Sequence, residues 1–410
     1  MLFFKIALLI TLTVWLVAMI STYQYGRIGR QLLQYDKKRT EEDVELPPLS
    51  VIIAAHNQAP ALRRHLPSIL NQDYDRFEVI VIDMASTDET KDVLERLEMQ
   101  NAHLRHTYTP ASARDISIER LALTLGFRAA IHDWVVITRP DCEIASPRWL
   151  MGIGKAITHP HSSQRSQLKE PDMILGSARY DEQRNTWFDY QIGFYRLWNT
   201  ICRTHHILDG HSAISADSCN LAFRKNYFME CGGFSVAQNL EAGAVELLVN
   251  HTSKPTNTAL MLLPSSMVIQ DRIGSPRLWK QERVFYAETQ RYQRHTKLYR
   301  FKQALRMLIP WSVILFLILP LLTCVVLLAS SQMADETQMY MFIYIAILSV
   351  LLLIYIPTKL ISLHTTTHAL GCRSYYLSYI VLELLLPFQF FSTGFTHQFS
   401  SHNEFRKKFI

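Results

Sequence analysis

Three carboxylates stand where alternating strands and helices would present a ligand site. Asp83 closes the apolar run Glu78-Val79-Ile80-Val81-Ile82, and Asp141 and Glu143 follow a second run that ends at Thr138. A strand-end Asp can accept hydrogen bonds from a ribose or from a base N–H. An Asp-x-Glu pair in a loop sets two hard oxygens side by side, which suits Mg2+ or Mn2+ bridging a diphosphate. Helix capping or plain solvation would also explain isolated acids, so the order of the surrounding elements has to decide.

That order is strand, helix, strand. Leu49–Ala55 is a continuous apolar run between turn signals and predicts a buried strand. Ala61–Leu70 has helical spacing, Glu78–Asp83 predicts a second strand, and Thr90–Met99 a helix introduced by Ser86-Thr87-Asp88-Glu89. Leu121–Ile131 reads as helix and Asp133–Thr138 as strand. Such alternation implies an α/β fold with a mainly parallel sheet. Ligands in such sheets lie beyond the carboxyl ends of the strands, which selects His56-Asn57-Gln58, Asp83–Ser86 and Arg139–Glu143. No strand is followed by GxGxxG or GxxxxGK[ST], which disfavours a dinucleotide Rossmann site and a P-loop.

Taken in order, Pro48–Gln58, Val81–Thr90 and Asp141–Leu150 resemble the signature of family 2 glycosyltransferases. Cys219–Lys225 followed by Gly232-Gly233-Phe234 resembles the later acceptor-side segment of that family. The resemblance covers roughly residues 48 to 290. It implies a GT-A fold that transfers a sugar from a UDP- or GDP-sugar with inversion at the anomeric carbon. It further implies nucleoside contacts at Asn57 and Asp83, a divalent cation held by Asp141 with Glu143, and a later acid that deprotonates the acceptor hydroxyl.

Several positions depart from the family pattern. His56-Asn57-Gln58 replaces the usual Y-N-E, and Met84 follows Asp83 where a second Asp is usual. Aligned on Cys142–Pro147, Asp141 takes the second Asp of D-x-D and Arg139 the first; an Arg there cannot ligate metal but can pair with a phosphate. The paired acids expected past Gly232-Gly233-Phe234 fall on Ala244 and Val245. Glu246, one position later and flanked by Leu247-Leu248, and Glu241, three earlier, are the candidate bases. These losses keep a second reading open: a catalytically impaired relative serving as a nucleotide-sugar-binding or scaffold subunit. Trp279 and Arg283 lie where many members carry Q-x-x-R-W, and amphipathic packing on a membrane surface is the role expected of them.

Apolar residues make up 49% of the 410 and charged ones only 19%, and the surplus sits at the two ends. Leu2–Ile20 is nearly all apolar and is followed by no small-x-small cleavage site, so it reads as an uncleaved anchor. Met307–Ala334 and Thr337–Thr358 carry no charged residue, and the short link Ser331–Glu336 makes them a hairpin of two spans. Tyr375–Phe391, with Glu383, Pro387 and many aromatics, reads as interfacial or re-entrant. The expected organisation is an anchor at 1–24, a charged linker at 25–47, the GT-A domain at 48–290, a basic interfacial helix at 291–306, two spans within 307–361, and an interfacial segment with a basic tail at 362–410.

Lys and Arg flank the anchor and the hairpin on one side only, so the domain and the tail should face the cytoplasm at the inner membrane. A net charge of +6 is too mild to point to nucleic acid. Six Cys without CxxC spacing fit no disulfide framework, and His205, His206 and His211 with Cys202 and Cys219 fit no standard zinc site. The partners this implies are a nucleotide-sugar donor, a lipid-linked or cell-envelope glycan acceptor, the membrane, and other proteins of glycan assembly.

Overall fold

The computed structural model describes residues 2–39, 45–110, 117–159, 170–182, 185–236, 238, 240–329, 335–376, 378–400 and 405. The chain divides into two compact units, one of Met1–Tyr35 with Lys297–Phe390, the other of Asp36–Thr296 with Phe391–Ile410. After a long helix α1 (Leu2–Arg39), the second unit runs β1 (Leu49–Ala55), α2 (Ala59–Leu70), β2 (Phe77–Asp83), α3 (Thr90–Gln100), β3 (Leu104–Tyr108), α4 (Ile118–Ala129) and β4 (Trp134–Thr138). It continues with β5 (Cys142–Ile144), α5 (Trp149–Thr158), β6 (Met173–Leu175), β7 (Ala178–Tyr180), α6 (Trp187–Leu208), β8 (Leu221–Arg224), α7 (Lys225–Glu230), α8 (Ala244–Thr252), β9 (Thr258–Leu260), β10 (Val268–Gln270) and α9 (Pro276–Thr289).

The seven-stranded sheet has the order β3-β2-β1-β4-β8-β6-β9. β3, β2, β1 and β4 run parallel, β8 is antiparallel to β4 and β6, and β9 is parallel to β6. Central strands buried on both faces need continuous apolar runs, and Leu49, Val51, Ile52 and Ile53 of β1 are fully buried. α4 lies close over β1 and β2 because Gly126 has no side chain; a Cβ there would come 2.9 Å from Ile82 and 3.2 Å from Ile52. A second sheet, β5-β10-β7, lies past the carboxyl end of β4, with β10 antiparallel to β5 and parallel to β7. Buried Asn220 ties these layers together by donating to the Ser177 and Ser266 carbonyls at 2.9 and 2.7 Å while accepting from Trp149 Nε1 at 3.1 Å.

In the first unit, α1 extends through Arg39, so most of the stretch read as a linker is helix. α10 (Thr296–Val313) carries the basic residues on its first turns and passes through a π-helical stretch, Ile314–Ile318, into α11 (Leu319–Ala329). The basic segment is therefore the start of a span-length helix rather than a separate interfacial one. α12 (Asp335–Ala369) follows, and α13 (Ser378–Phe399) begins in this unit, with its residues from Phe391 onward counted in the other. Four helical stretches, Phe4–Gln31, Thr296–Ala329, Glu336–Ala369 and Ser378–Phe399, are long and apolar enough to cross a membrane. Pro320 cannot donate to the Phe316 carbonyl, and Thr11 of α1 donates to that carbonyl instead, at 3.3 Å. Thr366 of α12 donates to the Tyr25 carbonyl at 2.7 Å, which brings the polar end of α1 to the last turn of α12.

Candidate active site

Asn57 and Asp83 stand at adjacent strand ends, because β1 pairs with β2 in the register Ala55↔Asp83. Asn57 takes a left-handed conformation, φ 52°, which Asn tolerates better than most residues. Its side-chain oxygen accepts the Thr87 N–H at 2.8 Å, and its own N–H donates to Ser86 Oγ at 2.9 Å. Asp83 Oδ1 accepts the Ser86 N–H at 3.1 Å. Asp88, one turn on, accepts the N–H groups of Ala59 and Thr90 and so joins the first turns of α2 and α3. The two predicted nucleotide contacts are thus the frame of one loop at the sheet's rim.

Beyond β4 the surface opens into a cavity of about 740 Å³ whose walls include Glu119, Arg139, Asp141, Asp217, Glu246 and Gln270. Arg139 and Asp141 follow β4 directly. Arg139 Nε donates to Asp141 Oδ1 at 3.0 Å and Nη2 to Oδ2 at 3.4 Å. Gln270, at the end of β10 opposite Cys142, donates to Asp141 Oδ2 at 2.9 Å. Its carbonyl oxygen accepts from Arg196 Nη1 at 2.7 Å, and Arg196 in turn holds Asp217 by two bonds, at 2.7 and 3.3 Å. Burial works against ionising Asp141, but the Arg139 charge and the bonds from Arg139 and Gln270 outweigh it and hold the carboxyl below its ordinary value. Asp217 is held low against the same burial cost by Arg196 and Arg203.

Glu246 occupies the first turn of α8 and lines the same cavity. Burial pushes its carboxyl up to about 7, with the nearby charges of Glu119 and Asp217 adding to the effect and Arg139 opposing it. The turn before α8 is set by Gly243, at φ 81°, where a Cβ would come 2.3 Å from the Thr289 side chain. Arg120 of α4 reaches across to the carbonyls of Val236, Leu240 and Ala242, at 3.1, 3.4 and 3.5 Å, and fixes the segment that leads to Glu246. Glu241 is exposed, is not part of the cavity wall, and contributes to the fold through its N–H, which donates to the Phe405 carbonyl at 3.1 Å.

Two sequence expectations meet a different arrangement. Glu143 is exposed on β5, whose buried face belongs to Cys142 and Ile144, and it is not part of the cavity wall. Among the described residues no three His, Cys, Asp or Glu converge as a metal cage. Asp141 already satisfies both oxygens, and a dication on it would lie about 5 Å from the Arg139 guanidinium, a repulsion of roughly 7 kcal/mol at an effective dielectric of 20. These residues do not fit the expected Mg2+ or Mn2+ site at Asp141 and Glu143. Trp279 and Arg283 are buried, with the guanidinium 4.0 Å from the ring centroid, and they line the cavity rather than a membrane-facing surface. Tyr195 and Phe188 pack edge-on against Trp279, which draws it inward.

Residues 50–231 match the family model described as glycosyl transferase family 2. This domain belongs to glycosyl transferase family 2. Among curated proteins, a GalNAc(5)-diNAcBac-PP-undecaprenol beta-1,3-glucosyltransferase of Campylobacter jejuni is 36% identical over 61 residues, covering 15% of this chain and 20% of that protein. An uncharacterized glycosyltransferase of Haemophilus influenzae is 29% identical over 82 residues, or 19% and 33% of the two chains. The matches therefore span a fifth and a third of those relatives' lengths. Among solved structures, the mannosyltransferase PcManGT from Pyrobaculum calidifontis, in complex with GDP-Man and Mn2+, aligns over 92% of this chain and 97% of its own at 16% identity and a TM-score of 0.45. S. aureus TarS 1-349 in complex with UDP-GlcNAc aligns over 86% and 88% at 12% identity and a TM-score of 0.40.

Gln270, Arg196, Asp217 and Arg120 were not singled out by the sequence. Gln270 ends a three-residue strand and Arg196 lies midway along a 22-residue helix, so neither carries a local signal. Asp217 precedes Cys219-Asn220, the segment that the resemblance did mark, and proximity to that segment was the available clue.

Proposed function

We propose that this protein is an inverting glycosyltransferase that moves a sugar from a UDP- or GDP-sugar to a lipid-linked or cell-envelope glycan acceptor at the cytoplasmic face of the inner membrane. The observation that carries the reading is Glu246: a carboxyl with its affinity for protons tuned close to neutrality, in a cavity shared with the Arg139–Asp141 pair. A general base works best when its pKa lies near the operating pH. The acceptor hydroxyl forms a bond to the anomeric carbon as the bond from that carbon to the diphosphate oxygen breaks. The hydroxyl proton passes to Glu246, and the electron pair leaves with the nucleoside diphosphate. Asn57 and Asp83 would contact the nucleoside at the rim, and Arg139 would meet the negative charge that builds on the leaving diphosphate.

The placement at the cytoplasmic face is supported by the Lys and Arg pattern, and the tail bears on the number of crossings. His397, on the last turn of α13, pairs with Glu288 at 2.7 Å, and Phe405 packs edge-on against Phe285 of α9 at 5.2 Å. The tail therefore belongs to the catalytic unit, and the chain after α1 must cross the bilayer an even number of times. With α10–α11 and α12 as the two crossings, α13 would lie in the interface. The deciding experiment is release of UDP or GDP by the full-length protein in nanodiscs, with a panel of sugar donors and polyprenyl-phosphate-linked acceptors. Turnover that disappears in Glu246→Gln supports the proposal, while unchanged turnover in that variant removes Glu246 as the base.

A further inference from the structure

Both carboxylate oxygens of Asp141 have protein partners. One of its oxygens faces Arg139 Nε and the other faces Gln270 and Arg139 Nη2. The amide of Gln270 cannot turn its oxygen toward Asp141 without losing the Arg196 bond, and Arg196 is itself pinned by Asp217 and by stacking 4.5 Å from the Tyr180 ring centroid. This chain of contacts, Asp217–Arg196–Gln270–Asp141–Arg139, ends on a guanidinium that lines the cavity with its side chain 45% exposed. Arg139 Nη1 has no protein partner among the described residues. A guanidinium carries a permanent charge in a planar fork that matches phosphate oxygens.

We propose that this protein binds the donor diphosphate through Arg139 without a divalent cation, with Asp141 positioning Arg139 rather than ligating metal. The inference rests on the glycosyltransferase reading of the same cavity. The cationic job usually given to a metal passes to a side chain whose orientation is fixed from behind by four residues. Asp141 and Gln270 are positioning residues in this scheme, and Arg139 is the group that touches the diphosphate.

The test is calorimetric titration of the full-length protein with UDP and with GDP, once with Mn2+ present and once with EDTA. Wild-type affinity for the better nucleotide should agree within about threefold between the two buffers. Arg139→Ala should weaken it at least about tenfold in both, as expected for a lost charge-assisted bond. Arg139→Lys, which keeps the charge but not the fork, should fall between. Arg139→Asp, which supplies acids at both 139 and 141, should bind poorly in EDTA and gain about tenfold or more from Mn2+. A wild-type gain of that size from Mn2+, or an Arg139→Ala variant that binds as wild type does, overturns the proposal. Failure of the wild type to bind either nucleotide in either buffer overturns the donor-site reading beneath it, and the proposal falls with it.

Discussion

The two halves of the candidate site are built by different means. The rim at β1 and β2 is local: Asn57, Asp83, Ser86, Thr87 and Asp88 lie within a few dozen residues and are joined by hydrogen bonds between two neighbouring loops. The cavity beyond β4 is assembled from α4, the end of β4, α6, the Asp217 segment, α8, β10 and α9. The amino ends of β1 and β2 sharpen the contrast. There Glu78 is also buried, with only 5% of its surface exposed, yet bonds from the Ile131 N–H, Ser50 and Arg105 overcome the cost of burial and hold its carboxyl low. Glu246, with no comparable set of donors, is pushed up. Burial makes a structural acid where donors converge and a proton-transfer group where they do not.

Glu246→Gln should therefore have the largest effect, a loss of about 10²- to 10⁴-fold in turnover. Wild-type turnover should rise with pH through about 7 as Glu246 loses its proton, and that limb should vanish in the residual activity of the variant. Stability should move the other way. Glu246 binds a proton more tightly folded than unfolded, so its contribution falls as pH rises from its ordinary 4.5 to about 7 and is flat above. The variant should melt higher than wild type at pH 8 and equal to it near pH 4. A variant that is inactive but no more stable at pH 8 would break the contrast with Glu78.

Gly243→Ala should come next. The added methyl meets Thr289 at 2.3 Å, and the residue would be held at φ 81°, so the start of α8 must move. Strain of this kind costs about 1–3 kcal/mol. Turnover should fall by about tenfold or more because Glu246 lies three residues on, and nucleotide affinity should stay within about twofold because neither the rim nor the contacts that hold Arg139 run through Gly243. A parallel loss of nucleotide affinity would show that the two halves are coupled.

The same division governs what the sequence made legible. β1, β2, α3 and β4 could be read because apolar runs and turn residues fix each within ten or so positions, and the site residues at their ends came with them. The helix start at Ala244 was not legible, since it depends on Gly243 fitting against Thr289 and on Arg120 gripping the preceding carbonyls from α4. Gln270 and Arg196 escaped for the same reason: their meaning lies in partners 129 and 74 residues away. Pairing of Asp141 with Arg139 was within reach of the sequence, as the two are separated by one proline, but its consequence for a metal was not.

Asn57→Ala tests the rim. It removes the acceptor of the Thr87 N–H and leaves an alanine at φ 52°, together costing about 1–2 kcal/mol of stability. Asn57→Gly relieves the backbone strain while still losing the bond, so it should cost less. Both should weaken nucleotide binding several-fold and leave the acceptor KM unchanged.

The smallest effect should come from Glu143→Gln, and it bears most directly on how far a motif can be trusted. Glu143 is two residues from Asp141 and, by sequence spacing, its partner. β5 is pleated, however, and it is pinned by β10 through the pairs Val268↔Ile144 and Gln270↔Cys142, with Cys142 and Ile144 turned into the core. Glu143 must then take the opposite face, which is open to solvent. Turnover, nucleotide affinity and their response to Mn2+ should all stay within about twofold of wild type, the range expected of a surface substitution. Should Glu143→Gln instead lose activity that added Mn2+ restores, β5 would have to turn over during the reaction, and the separation drawn between rim and cavity would fail at the residue where the two meet in sequence.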